Sequence, residues 1–278
     1  MPPGGARHPK EPSPQHGTRP LSALTSRSPV LVVAHPGHEL RVYGWMEAAA
    51  PRVCVLTDGS GSGGEARLES TTRLLAGIGA RPGTVYGRMS DRAIYSAILD
   101  RDFACFTGLA EQLAEELAAS DADCVVGDAV EGYNPSHDVC RLVVNAALRM
   151  LGREVAAYDF LLVGAPDRCP DELRGRAVWL ELDEEALARK LAAARSYPEL
   201  AGEVEAALGR FGVAPFRTEC LRPVDPSQRY GWDPAEVPYY ETYGEKRVAE
   251  GVYDRVLRFR EHVQPLADAL WEHGERRS

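Results

Sequence analysis

Three histidines follow short apolar runs, and imidazole is a ligand that transition metals favour. His35 and His38 come directly after residues 30–33 (Val-Leu-Val-Val), and His137 follows residues 123–126 (Asp-Cys-Val-Val) and a loop. A catalytic zinc site commonly uses three protein ligands and keeps a fourth position open. The three histidines therefore predict a metal site for Zn²⁺, with Fe²⁺ or another divalent ion as the alternative.

The two apolar runs are short and rich in β-branched residues, which predicts buried strands of a parallel sheet. Further strands are predicted at residues 52–56, 84–86 and 154–158, and helices at residues 40–49, 65–79, 102–119, 137–151, 183–194 and 253–271. This alternation predicts an α/β fold with a doubly wound, mainly parallel, Rossmann-like sheet and helices on both faces. Loops at the carboxyl ends of such strands carry ligand sites, so the histidines are predicted to meet at one edge.

Composition divides the chain into a tail and one domain. Residues 1–28 are rich in Pro, Gly, Ser and Arg, which predicts a disordered tail. Residues 29–278 are predicted to form a single α/β domain, with a core over 29–165 and a C-terminal cap with helices over 166–278.

Charge and cysteine usage limit the partners and the compartment. The formal net charge is −9 and no basic stripe is present, which argues against nucleic acid as a partner. No apolar run has the length of a membrane span, so no membrane partner is expected. The predicted partner is a small-molecule substrate. The six cysteines are scattered without a Cys-x-x-Cys pair, which favours a cytoplasmic location.

The histidine motifs resemble those of the LmbE-like, or PIG-L, family of zinc-dependent N-deacetylases and amidases. The family's Ala-His-Pro-Asp-Asp-Glu motif is matched by residues 34–39, and its Thr-Asp-Gly turn by residues 57–59. Its Gly-x-His-Pro-Asp-His element is similar to residues 132–137, and an Arg and a Glu that open a helix are similar to Arg67 and Glu69. The resemblance covers about residues 28–165 and implies a zinc-dependent deacylation chemistry.

The chain also departs from the family pattern at positions that carry chemistry. Gly37 stands where the family has its general base Asp, and His38 stands where the family has an Asp ligand. Asn134 replaces the family's histidine near the oxyanion, and Ser136 replaces the Asp next to the final ligand. The resemblance thus implies a site of His35, His38 and His137 without the usual base.

Three neutral imidazoles leave the full charge on a divalent metal, so its bound water can ionise near neutral pH. We predict that Glu39 or Asp138 replaces the missing base, since each neighbours a proposed ligand. The alternative is that either acid orients an imidazole through a hydrogen bond. Asn134 is predicted to donate a hydrogen bond to a developing oxyanion, with an ordinary turn opening as the alternative.

Substrate contacts are predicted from Arg67, Tyr133, Tyr240 and Glu241. The segment 238–247 is dense in aromatic and charged residues and could fold over the site, where Glu241 or His262 would transfer a proton. The alternative is an aromatic surface patch or the contact of a homo-oligomer.

Three functions follow from these residues. The first is a zinc-dependent deacetylase or amidase that acts on an amino sugar or another compound of specialised metabolism. The second is a non-hydrolytic, metal-dependent biosynthetic enzyme, and the third is a non-catalytic binding protein.

A competing motif lies at residues 59–64, which satisfy the Gly-x-Gly-x-x-Gly pattern of dinucleotide binding. The next strand is predicted to end at Gly87-Arg88 without an acid for a ribose hydroxyl. The nucleotide hypothesis is therefore disfavoured.

Overall fold

The computed structural model describes residues 26–61, 64–230 and 235–277. Most of the predicted tail, 1–28, lies outside the described residues, as do Ser62 and Gly63 of the glycine-rich motif. Within the described ranges, none of the helices combines the length and the apolar character that a membrane crossing requires.

The described residues form one sheet of seven strands in the order β3-β2-β1-β4-β5-β7-β6. The strands are β1 (Pro29–Val33), β2 (Arg52–Thr57), β3 (Arg81–Met89), β4 (Cys124–Asp128), β5 (Ala156–Phe160), β6 (Val178–Glu181) and β7 (Thr218–Pro223). Strands β1 to β5 pair in parallel, whereas β7 is antiparallel to β5 and to β6. The predicted α/β, mainly parallel sheet is confirmed.

Helices connect the strands and cover the sheet. In the part of the chain that the structure describes, the α-helices are α1 (Tyr43–Ala49), α2 (Leu68–Gly77), α3 (Asp91–Leu99), α4 (Phe103–Ala119), α5 (Pro135–Met150), α6 (Asp171–Arg174), α7 (Glu184–Arg195), α8 (Ala201–Phe211), α9 (Tyr239–Ala249) and α10 (Gln264–Arg277). Short 3₁₀ helices lie at His38–Val42, Pro198–Leu200 and Ala214–Arg217, and a π-helix lies at Phe259–Val263.

The central strand β1 is apolar along its whole length because helices cover both of its faces. Val30 and Val32 lie in one buried cluster with residues of α3, α4, α5 and α10, and Leu31 and Val33 lie in a second cluster with residues of α1 and α2. Each such side chain contributes about 1.5–3 kcal/mol on burial. The run without polar alternation therefore reflects a strand buried on two sides.

The strand order reverses between β1 and β4. From β1 the chain adds β2 and β3 on one side, whereas β4 and β5 extend the sheet on the other side. Val32 pairs with Gly127, so the carboxyl ends of β1 and β4 lie next to each other. Open α/β sheets bind ligands in the crevice outside such a switch point. The loops after β1 and β4 therefore open into one crevice.

Several elements differ from the sequence prediction. Strand β3 is longer than the predicted 84–86, and helix α3, which follows it directly, was not predicted. The C-terminal helix, predicted over 253–271, begins only at Phe259. Two side chains cap it there, because Glu241 accepts from the Phe259 N–H at 2.6 Å and His262 Nδ1 accepts from the Arg258 N–H at 2.9 Å.

A buried carboxylate from the cap region holds the start of α1. Glu219 on β7 accepts hydrogen bonds from the backbone N–H groups of Gly44 and Trp45, each at 2.8 Å. Lys190 Nζ donates to the same carboxylate at 2.7 Å and to the Arg41 carbonyl oxygen at 2.9 Å. These bonds satisfy free N–H groups at the helix start and neutralise the buried charge. Because α1 continues the segment that begins at His38, the cap region also positions that histidine.

The turn between His35 and His38 depends on a contact with the cap region. Gly37 has a φ angle of 103°, and a Cβ atom placed there would lie 2.3 Å from Leu200 Cδ1. The Gly37 N–H donates to Glu39 Oε2 at 2.6 Å, and the Tyr197 hydroxyl donates to the other oxygen of that carboxylate. The segment 197–200 therefore covers the turn and fills the space beside Gly37.

Substitution of Gly37 tests this contact. We expect Gly37→Ala to lower the free energy of unfolding by about 2–4 kcal/mol, because it combines backbone strain with an overpacked contact. Gly152→Ala is the matched control, since Gly152 also has a positive φ but a Cβ there would meet nothing within 4 Å. Its loss should be about 1 kcal/mol, measured by urea unfolding.

A second substitution isolates the contribution of Leu200. In a double-mutant cycle, Leu200→Ala should remove part of the loss caused by Gly37→Ala and leave the Gly152→Ala loss unchanged. Equal losses for the two glycine variants, with no coupling to Leu200, would contradict the proposed contact.

Candidate metal centre

The structure brings His35, His38 and His137 together at the switch point. One ring nitrogen of each residue lies within 4.8 Å of one ring nitrogen of each of the others. His35 follows β1 by two residues, His38 begins the 3₁₀ helix after it, and His137 is the third residue of α5. His35 and His137 are each 8% exposed. The segment after β1 supplies two of the histidines and the segment after β4 supplies the third, and all three meet at one partly enclosed point.

Two carboxylates, the buried Asp128 and the partly exposed Asp91, hold two of the imidazole rings. His35 Nδ1 lies 2.8 Å from Asp91 Oδ1 and 2.7 Å from the Thr57 hydroxyl, and His38 Nδ1 lies 2.9 Å from Asp128 Oδ2. An ionised carboxylate accepts hydrogen bonds only, so each Nδ1 donates to it and Nε2 keeps its lone pair. Carboxylates beside metal-binding histidines fix the tautomer in this way and make the ligand more basic.

Burial favours the neutral form of the His35 and His137 imidazoles. Burial lowers the pKa of His35 and lowers the pKa of His137 well below its ordinary value of 6.5. Burial alone would raise the pKa of Asp91, but hydrogen bonds from His35, Thr57 and the Gly61 N–H hold it well below its usual value. Neutral imidazole is the form that binds a metal, so little proton competition is expected near pH 7.

The donor set fits a divalent cation. His137 Nδ1 is buried, and it has no hydrogen-bond partner within the described ranges. A buried polar atom without a partner is costly, and a bound cation would repay part of that cost if this nitrogen were the ligand atom. Three nitrogen donors at this spacing suit zinc or iron better than magnesium or calcium, which prefer oxygen ligands.

Sequence reasoning missed the two carboxylates that hold the rings. Asp128 is the last residue of β4, and Asp91 is the first residue of α3, two residues after β3. The prediction that this strand ends at Gly87-Arg88 was wrong, because β3 continues to Met89 and Asp91 follows two residues later. The usable signal was an Asp shortly after a predicted strand, as at Asp91 and Asp128.

Asp128 is in turn positioned by a buried arginine. Arg141 Nε donates to the Asp128 carbonyl oxygen at 2.8 Å, and its Nη2 donates to the Tyr158 carbonyl oxygen at 3.0 Å. Asp128 Oδ2 also accepts from the Ala34 N–H at 2.8 Å, which links the ends of β1 and β4. The carboxylate that holds His38 is therefore fixed by backbone contacts as well.

The two acids predicted to replace the base hold backbone groups. Glu39 is fully buried, and its carboxylate accepts from the Gly37 N–H and from the Tyr197 hydroxyl. The Asp138 carboxylate accepts from the N–H groups of Glu131 at 3.0 Å and Gly132 at 3.2 Å. Burial raises the pKa of Asp138 to about 7. These contacts favour a structural role for both acids.

Asn134 and Arg67 lie at the edges of the site. Asn134 is the N-cap of α5, and its Oδ1 accepts from the Ser136 N–H at 2.9 Å. Arg67 Nε donates to the Gly59 carbonyl oxygen at 2.5 Å. A Cβ at Gly59 would also lie 2.8 Å from Pro36 Cδ, so Arg67 stands close to the turn that carries His35.

The remaining predicted substrate contacts lie on or beside α9. The Tyr240 N–H donates to the Gly132 carbonyl oxygen at 3.3 Å, which ties α9 to the loop before His137. The Tyr240 hydroxyl is buried and, in the part of the chain described, has no hydrogen-bond partner. Tyr133 lies half-exposed on that loop and stacks on Tyr239. Glu241, by contrast, is engaged in capping the C-terminal helix.

Solved structures share this fold. No family model and no curated protein matches the chain. The A40926 pseudoaglycone deacetylase Dbv21 is 21% identical with a TM-score of 0.52, over 72% of this chain and 98% of that one. A triple mutant of a teicoplanin-pathway deacetylase is 17% identical with a TM-score of 0.51, over 70% and 97%. The zinc-inhibited form of the teicoplanin deacetylase Orf2 is 15% identical with a TM-score of 0.50, over 72% and 100%. The chain therefore has the fold of these deacetylases, at identities too low to transfer their substrates.

Proposed function

We propose that this protein is a metal-dependent hydrolase of the N-deacetylase or amidase type. The observation that carries the proposal is the set of three histidines whose ring nitrogens converge within 4.8 Å at the switch point of the sheet. The fold shared with antibiotic deacetylases supports the same chemistry. The proposed substrate is a small molecule with an amide on an amino sugar or another specialised metabolite.

His35, His38 and His137 would hold the ion, and Zn²⁺ is the ion we propose. A divalent ion on three neutral imidazoles supplies Lewis acidity toward an acyl carbonyl and activates water near neutral pH. Asp91 and Asp128 keep the rings in one tautomer and one orientation. The chain thereby prearranges its donors before substrate arrives.

The position of the family's general base is occupied by hydrocarbon in this chain. Leu200 Cδ1 fills the space that a side chain at position 37 would need. Glu39 and Asp138 already accept hydrogen bonds from backbone N–H groups. We therefore propose that the reaction depends on the Lewis acidity of the centre more than on a carboxylate base.

A second candidate function is a non-hydrolytic, metal-dependent biosynthetic enzyme. Gly37 favours it, since this position, where Leu200 approaches the backbone, supplies no carboxylate base and suits chemistry that needs none there. The metal content separates the two, because tightly bound, redox-active iron would count against simple hydrolysis.

Metal analysis is the first test of the centre. We expect the purified chain to carry about one divalent ion, mainly zinc, and His38→Ala to lose most of it. His273→Ala is the control, since His273 is not part of the cluster and contacts Glu111 of α4 at 3.0 Å. Equal metal content in wild type, His38→Ala and His273→Ala, by mass spectrometry of the elements, would rule out the three-histidine centre.

Acetate release tests the activity. N-Acetylated amino sugars should be hydrolysed by the metal-loaded protein, and His137→Ala should lower kcat/KM at least about 100-fold. Asp128→Asn should lower it about 10–100-fold, because the amide no longer favours one tautomer of His38. A centre that binds metal but releases no acetate from any N-acyl substrate would favour the non-hydrolytic alternative.

Asp138→Asn tests whether that acid is structural. Its pKa is raised from 3.8 to about 7 in the folded chain, so the carboxyl contributes stability that is present below pH 3.8 and lost as pH rises through 7. An amide stays neutral, and its Oδ1 can still accept from Glu131 and Gly132. We expect the unfolding free energy of Asp138→Asn, relative to that of the wild type, to rise by on the order of 2 kcal/mol between pH 5 and pH 8. An unchanged difference between those pH values would contradict this account.

A further inference from the structure

Five tyrosines form a continuous row of ring contacts beside the metal centre. Tyr133 and Tyr239 stack with centroids 5.0 Å apart and planes 4° apart, and Tyr239 stacks on Tyr243 at 5.8 Å and 29°. Tyr243 then meets Tyr253 at 6.4 Å, and Tyr253 meets Tyr95 at 5.9 Å. We call these five residues the tyrosine row.

Both ends of the tyrosine row belong to elements that build the metal centre. Tyr133 precedes His137 by four residues, in a loop whose N–H groups are held by Asp138. Tyr95 lies one helical turn after Asp91, the residue that holds His35. The row thus connects the loop before His137 with the helix that carries Asp91, the residue that holds His35.

The rings at the Tyr133 end are unusually exposed for aromatic side chains in contact with one another. Tyr133 is 47% exposed, Tyr239 is 50% exposed and Tyr243 is 41% exposed. Tyr133 ends the row, and among the described residues its one aromatic ring contact is Tyr239. Nearly half of the Tyr133 side chain is therefore accessible to a further ring.

We propose that the exposed part of the Tyr133 side chain binds an aromatic ring of the substrate while the substrate's amide lies at the three histidines. This inference rests on the proposed function, because it assigns the part of the substrate that points away from the amide. A planar aromatic ring is favoured over a sugar ring, since the nearly parallel Tyr133 and Tyr239 rings define a stack that another flat ring extends. The substrate class is thus an N-acyl compound with an aryl group beside the amide-bearing unit.

The test compares two probes that differ in one ring. Binding of phenyl and methyl 2-acetamido-2-deoxy-β-glucoside to the full chain is measured by calorimetry. We expect the phenyl compound to bind about 3–10-fold more tightly, in line with one added aromatic stack. Tyr133→Leu keeps an apolar side chain without a flat face and should abolish the preference, whereas Tyr133→Phe should retain it.

The outcomes separate this inference from the proposed hydrolysis. A phenyl preference that Tyr133→Leu removes supports the ring site even when neither probe is deacetylated. Deacetylation without any phenyl preference would leave the proposed function standing and overturn the ring site. A preference that survives Tyr133→Leu would also overturn it.

A second copy of the chain could instead cover the exposed tyrosines, and the same variants test this alternative. Sedimentation over a range of concentrations shows whether two copies of the chain associate through the tyrosine row. A dimer that Tyr133→Leu dissociates would assign the exposed rings to a subunit contact and overturn the inference. A wild-type chain whose state does not change with Tyr133→Leu, together with the phenyl preference, supports it.

Discussion

The parallel pairing of β1 with β4 is the constraint on which the candidate site depends. The strand order reverses at this pair, so neither following helix crosses the crevice at the carboxyl ends. His35 and His38 enter the crevice from one strand and His137 from the other. Asp128 reinforces the pairing, because its carboxylate accepts from the Ala34 N–H as well as from His38. The pairing of β1 with β4 thus positions the three histidines and also Asp128, which orients His38.

The rings themselves are ordered by charge in a buried setting. A neutral imidazole can present either nitrogen, and a carboxylate at Nδ1 decides between them. Asp91 and Asp128 do this for His35 and His38, whereas His137 Nδ1 is left without a partner among the described residues. Low local polarity strengthens each of these bonds and raises the cost of the unpaired nitrogen. The Nδ1 atoms of His35 and His38 therefore have hydrogen-bond partners. The Nδ1 atom of His137 lacks one, and a bound cation could interact with it.

The sequence was sufficient to place the three histidines at strand ends but not to find the groups that support them. The apolar runs and the spacing around them predicted that His35, His38 and His137 follow strand ends, because strand periodicity is a local property. The pairing of His35 with Asp91, and of Glu39 with Tyr197, joins residues 56 and 158 positions apart. Such contacts depend on tertiary packing, so no local pattern indicated them. The C-terminal helix was misplaced for the same reason, since its start depends on the distant cap residue Glu241.

Gly37 lacks the side chain of a catalytic base, and its backbone conformation is tied to the packing of segment 197–200. Taken alone, a glycine at the base position reads as the deletion of a catalytic group. In the fold, its φ of 103° and the Leu200 methyl group beside it disfavour any side chain, and Tyr197 fixes the neighbouring Glu39 from the same segment. A carboxylate at this position would have to displace the Leu200 side chain and hold a left-handed backbone conformation. The turn, the covering segment and His38 therefore belong to one packed region.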